Sequence, residues 1–218
     1  MDFRYHKAVN IPVDKVMVQG ELIIPENARA IVIFSHGSGS SRFSSRNQQV
    51  AKYLQDKKFG TLLFDLLTME EDQHYSNRFD IGLLTKRLAG ATEWLEELPA
   101  AKDCRIGYFG ASTGAASALK AAALLPQIAA VVSRGGRPDL AMNALKNVKA
   151  PTLLIVGSLD HEVLQLNQQA YRQLGCEKKL ELVEGATHLF EERGKMELVS
   201  ELAGDWFEKY LEPATITE

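Results

Sequence analysis

A chain of 218 residues with 45% apolar and 24% charged residues is long enough to bury one substantial core, and it reads as a single domain over residues 1–218. Its formal net charge of -3 provides no basic field, which excludes DNA or RNA as a partner. Two cysteines without metal-ligand spacing, a mixed polar segment over residues 1–9 and no apolar run of spanning length exclude a disulfide framework, a bound metal and a membrane span, and place the protein in the cytoplasm.

Residues 16–24 (VMVQGELII) are rich in β-branched side chains and run into the turn Pro25-Glu26-Asn27; with the shorter segment 3–9 they predict antiparallel strands at the sheet edge. From Ala30 onward short, unbroken apolar runs follow at 30–35, 61–65, 105–110, 129–133, 152–157 and 180–184. Runs of this kind belong to strands covered on both faces and predict a parallel sheet. Between them, residues 46–58, 80–98, 113–125, 163–174 and 196–211 carry apolar side chains at helical spacing, as does the shorter stretch 139–145. The βαβα order predicts an α/β, doubly wound, mostly parallel sheet with helices on both faces, whose ligands sit beyond the carboxyl ends of the strands. Residues 66–79 lack a pattern and read as a mobile flank of the site.

Gly110-Ala111-Ser112-Thr113-Gly114 lies between a predicted strand and a predicted helix, the context of a nucleophile elbow that exposes a serine hydroxyl above the sheet. The bland alternative is a glycine-rich turn whose serine only caps the helix. A serine needs an imidazole to take its proton, and His188, after the last strand, stands where that base is required. The imidazole needs a carboxylate, for which Asp160 at the end of its strand is the first choice, with Glu162 and Asp139 as competitors. Donors to an oxyanion are expected from the amide of Thr113 and from the amide of Ser38, in the glycine-bearing loop 35–41. That loop lacks the lysine of a phosphate cradle, and His36 within it is expected to hold it in place by hydrogen bonding. Arg42, Arg46, Arg134 and Arg137 follow strands on the same rim; they suit a substrate anion, but pairing with loop carboxylates such as Asp65, Asp80 or Asp139 is the favoured reading.

Taken together, HGSGSS, GASTG, LIVGSLD and GATH resemble the dienelactone hydrolase branch of the α/β hydrolases, over roughly residues 16–211. The resemblance implies the α/β-hydrolase fold with a small or absent lid, no cofactor, a small-molecule ester, lactone or thioester as substrate, and Ser112, Asp160 and His188 as the triad. The elbow holds serine where dienelactone hydrolases proper hold cysteine, and Cys104 and Cys176 lie elsewhere as packing or surface residues. The second reading is a non-catalytic ligand-binding or interaction protein on the same scaffold, against which the complete set of nucleophile, base, acid and glycine loop argues. A monomer or a homodimer fits equally well.

Overall fold

Strands β1 (Phe3–Val13) and β2 (Val16–Pro25) form a long antiparallel hairpin, closed by Asp14 at φ 53°. The computed structural model describes residues 2–211, so Met1 and residues 212–218 of the expected domain lie outside the described residues. Val9, Ile11 and Val13 alternate inward along β1, which runs four residues further than the apolar pattern predicts. Pro12 is tolerated there because β1 is an edge strand and one of its sides has no ladder to feed.

The expected pair of edge strands is corrected in one respect: only β1 lies at the edge. β2 pairs antiparallel with β4 (Gly60–Phe64), with Gly20 opposite Phe64. A Cβ at Gly20 would come within 2.9 Å of the Phe64 Cβ, so glycine is what lets these two strands close. The other strands are β3 (Ala30–Ser35), β5 (Arg105–Ala111), β6 (Ile128–Arg134), β7 (Thr152–Gly157) and β8 (Lys178–Val183), and the sheet order is β1-β2-β4-β3-β5-β6-β7-β8. All pairings from β4 through β8 are parallel, and nearly every residue of β3 to β7 is buried.

Two apolar layers enclose the sheet. On one face α1 (Ser45–Asp56) packs beside α7 (Lys195–Leu211), around Phe34, Phe109, Phe190 and Phe207. On the other lie α3 (Ile81–Glu97), α4 (Thr113–Leu124) and α6 (His161–Gln173), joined by the one-turn helices α2 (Met69–Asp72) and α5 (Met142–Leu145). Among the described residues no helix is long and apolar enough to cross a membrane.

Residues 66–79, without an apolar period, nonetheless carry structure. Thr68 and Glu71 form a reciprocal capping box that starts α2, and a 3-10 turn follows over Tyr75–Phe79. Arg87 of α3, with a side chain only 4% exposed, donates to Glu71 Oε1 at 2.6 Å and to Asp14 Oδ2 at 3.0 Å. One buried guanidinium thus ties this flank and the β1–β2 turn to the same helix.

Candidate active site

The chain turns from β5 into α4 at Ser112, whose φ of 51° and ψ of -122° are strained for a residue with a Cβ. The flanking glycines are imposed by packing. A Cβ at Gly110 would lie 2.5 Å from the Ala115 Cα, and one at Gly114 would lie 2.1 Å from the Ser35 carbonyl oxygen. Only glycine at both places lets α4 settle against β5 and β3 while the chain reverses. Ser112 occupies the N-cap position of α4, yet its side chain makes no capping bond. The hydroxyl of this half-buried residue is therefore not spent on the helix.

His188 sits in the loop between β8 and α7, and its Nδ1 donates to Asp160 Oδ2 at 2.6 Å. That bond puts the proton on Nδ1 and leaves Nε2 as the acceptor. Asp160 follows β7 at the N-cap of α6 and, like Ser112, makes no side-chain cap. Its competitor Asp139 is taken up by Arg137, at 2.9 and 2.8 Å.

The loops after β7 and β8 are stitched together by Leu159 N–H to the Ala186 carbonyl at 3.0 Å and Gly185 N–H to Ser158 Oγ at 2.8 Å. The loop after β6 joins them to the elbow. Ser112 N–H donates to the Arg134 carbonyl at 3.2 Å, Arg137 N–H donates to the Ser112 carbonyl at 3.0 Å, and a Cβ at Gly135 would lie 3.5 Å from His188 Cε1. Serine, histidine and aspartate thus share one rim. Among the described residues no hydrogen bond links Ser112 Oγ to His188.

The loop after β3 passes close against the elbow, since a Cβ at Gly37 would lie 3.1 Å from the Ser112 Cβ. His36 anchors this loop, with Nδ1 donating to the Gly37 carbonyl at 3.0 Å and Nε2 accepting from Leu66 N–H at 3.1 Å. Ser38 N–H donates to Thr113 Oγ1 at 2.8 Å, a partner that the sequence reading did not foresee.

Burial pushes the pKa of His36 below 6.5, and the opposing pull of the Gly37 carbonyl and of Asp65 and Asp72 is weaker. A histidine that protonates more readily when unfolded makes stability fall as pH drops below about 6.5, and this loss ends only below its folded value. The expected result is a melting temperature that declines between pH 7 and 5 in the wild type and declines less steeply in His36→Gln. Equal slopes would contradict it.

The four arginines differ in their partners. Arg42 pairs with Asp65 and reaches Gln19 at 2.9 Å, and Arg137 grips Asp139. Arg46 meets the exposed Glu191 at 3.3 Å. Arg134 is only 5% exposed and has no carboxylate partner among the described residues; its Nη2 is 3.5 Å from Asn47 Oδ1 and its Nε is unpartnered. Burial, and then the neighbouring Arg46, lowers its pKa to about 10. A cleft of about 340 Å³ opens beside the loop after β3, with Met17, Phe43 and Met69 exposed at its mouth. Cys104 and Cys176 precede β5 and β8, at the opposite ends of the strands from Ser112, and burial pushes the Cys104 thiol up.

The dienelactone hydrolase family profile matches residues 18–212. The chain belongs to the dienelactone hydrolase family. It is 52% identical to a solved dienelactone hydrolase from Anabaena variabilis, with a TM-score of 0.92 over 95% of this chain and 99% of that one. A Pyrococcus furiosus esterase superposes with a TM-score of 0.79 at 20% identity, covering 95% of this chain and 94% of that one, a likeness in fold. Two proteins of Mycobacterium tuberculosis bearing a provisional phosphoribosyl-transferase name are 53% identical over 204 residues, 93% of this chain and 46% of theirs. The chain thus spans about half the length of these curated relatives. It has the α/β-hydrolase fold.

Proposed function

We propose that this family member is a serine esterase that cleaves a small ester, lactone or thioester through an acyl-enzyme on Ser112. The observation that carries the reading is the His188–Asp160 bond of 2.6 Å on the same rim as a serine that withholds its hydroxyl from its own helix. Ser112 Oγ attacks the acyl carbon and its proton passes to His188 Nε2, while Asp160 holds the resulting imidazolium. The tetrahedral intermediate collapses as the leaving oxygen or sulfur takes that proton, and water repeats the sequence on the acyl-enzyme. Both cysteines are remote from this rim, which supports serine as nucleophile, and both are free thiols, which fits a cytoplasmic protein.

Of the four arginines, Arg134 is the one best suited to an anion on the substrate, because a buried guanidinium with no carboxylate partner among the described residues gains most from one, whereas Arg46 beside it already meets Glu191. The phosphoribosyl-transferase name describes proteins of which this chain matches 46%, and the residues above account for hydrolysis without it.

Turnover of p-nitrophenyl esters that is absent from Ser112→Ala is the expected result; a screen showing no turnover above that variant would contradict the reading. On paired neutral and carboxylate-bearing esters, Arg134→Gln should lower kcat/KM about tenfold more for the anionic member, the scale of one lost charge-assisted contact. Equal losses on both would refute the anion role and leave the esterase reading intact.

A further inference from the structure

The Ser38 amide, which the loop sequence offers as the second oxyanion donor, is already engaged by Thr113 Oγ1 at 2.8 Å. A hydroxyl carries one proton and two lone pairs, so accepting that bond leaves the Thr113 proton still to be given. Of the four other buried threonines, Thr61 also only accepts, from Gln55 Nε2 at 2.8 Å, while three give the proton to a carbonyl, Thr152 to that of Ala150 at 2.9 Å. Thr85 gives its own to the Ile81 carbonyl at 2.6 Å and Thr92 to the Leu88 carbonyl at 2.8 Å, each one turn back along α3. Thr113 is the first residue of α4, so the chain behind it is the elbow and β5 and no helical carbonyl stands one turn back. It is only 2% exposed, and among the described residues its hydroxyl has no acceptor.

We propose that Thr113 supplies both donors to the oxyanion, its backbone N–H and its Oγ1–H, with the Ser38 amide standing behind the hydroxyl. This rests on the serine esterase reading above. The Thr113 amide, at the first position of a helix, has no intrahelical partner. The hydroxyl, already accepting from Ser38, is a stronger donor for being polarised. When Ser112 Oγ bonds to the acyl carbon, the C=O π pair moves onto oxygen and the serine proton moves to His188. The new oxyanion accepts the two hydrogens of Thr113, and it returns its electron pair when the bond to the leaving group breaks. If Ser38 donated directly instead, its bond to Thr113 would have to break and a buried hydroxyl would lose its partner.

The test compares Thr113→Val, which keeps the shape and removes the hydroxyl, with Thr113→Ser, which keeps the hydroxyl. It measures kcat and KM on a p-nitrophenyl ester and inhibition by a trifluoromethyl ketone, whose adduct with serine carries a true oxyanion. For Thr113→Val the account expects kcat to fall by about 100-fold, the scale of one lost oxyanion donor, with KM within about twofold and ketone affinity falling in step with kcat. Thr113→Ser should stay within about threefold of wild type. Should Thr113→Val fail to fold, Thr113→Ala carries the same expectation. Wild-type kcat and ketone affinity in a folded variant lacking the hydroxyl would assign the donor to the Ser38 amide and overturn the proposal. So would a Thr113→Ser variant as impaired as Thr113→Val, since the methyl group would then be what matters. Absence of esterase activity in the wild type would be seen before any variant was made, and would overturn the esterase reading and this inference together.

Discussion

Ser112→Ala should abolish ester turnover, with kcat falling by about a millionfold, the loss known for removal of a triad nucleophile. The residual rate, about a thousandfold or more above water, comes from the oxyanion donors and substrate binding that the variant retains. The fold should not suffer. The hydroxyl makes no cap on α4, and the turn is held by its neighbours, through Ser112 N–H to the Arg134 carbonyl and the close packing at Gly110 and Gly114. An unchanged melting curve with no turnover is therefore the expected pair of results, and a folded variant that kept turnover would remove Ser112 from the chemistry.

His188→Ala should lower kcat by about a thousandfold or more, because the serine then loses the group that takes its proton. The other histidines are poorly placed to substitute for it. His36 is buried with both ring nitrogens engaged, one by the Gly37 carbonyl and one by Leu66 N–H. His161 is exposed as the first residue of α6, beyond the carboxylate that His188 uses. Removing the imidazole also leaves Asp160 without its partner at 2.6 Å. Steady-state kinetics on the folded variant check this, and turnover within tenfold of wild type would mean that another group is the base.

Strands β3 to β7 were legible because each is a run of residues buried on both faces, a pattern that needs no knowledge of neighbours, whereas β8, at the far edge of the sheet, buries only Val183. The elbow was legible from its glycines between a strand and a helix: Gly110 answers a local close contact with Ala115, although Gly114 answers the Ser35 carbonyl across the chain. Other features depend on pairings across the chain. The interior place of β2 comes from Gly20 meeting Phe64, and α2 is too short for an apolar period, although Thr68 and Glu71 carried its capping signature. For the acid, spacing left Asp160, Glu162 and Asp139 open; what separates Asp160 from Asp139 is that one bonds His188 and the other Arg137. The arginines could not be ranked from spacing, because their partners lie as far apart as Arg46 and Glu191. The engagement of Ser38 by Thr113, 75 positions later, left no trace in either local sequence.

The central claim is that Ser112 is a nucleophile activated by the His188–Asp160 pair, and covalent labelling by a fluorophosphonate tests it most directly. The account predicts one adduct per chain, located on Ser112 by peptide mass analysis, with labelling lost in Ser112→Ala and much slowed in His188→Ala. Folded wild-type protein that remains unlabelled, or that is labelled at another residue, would contradict it.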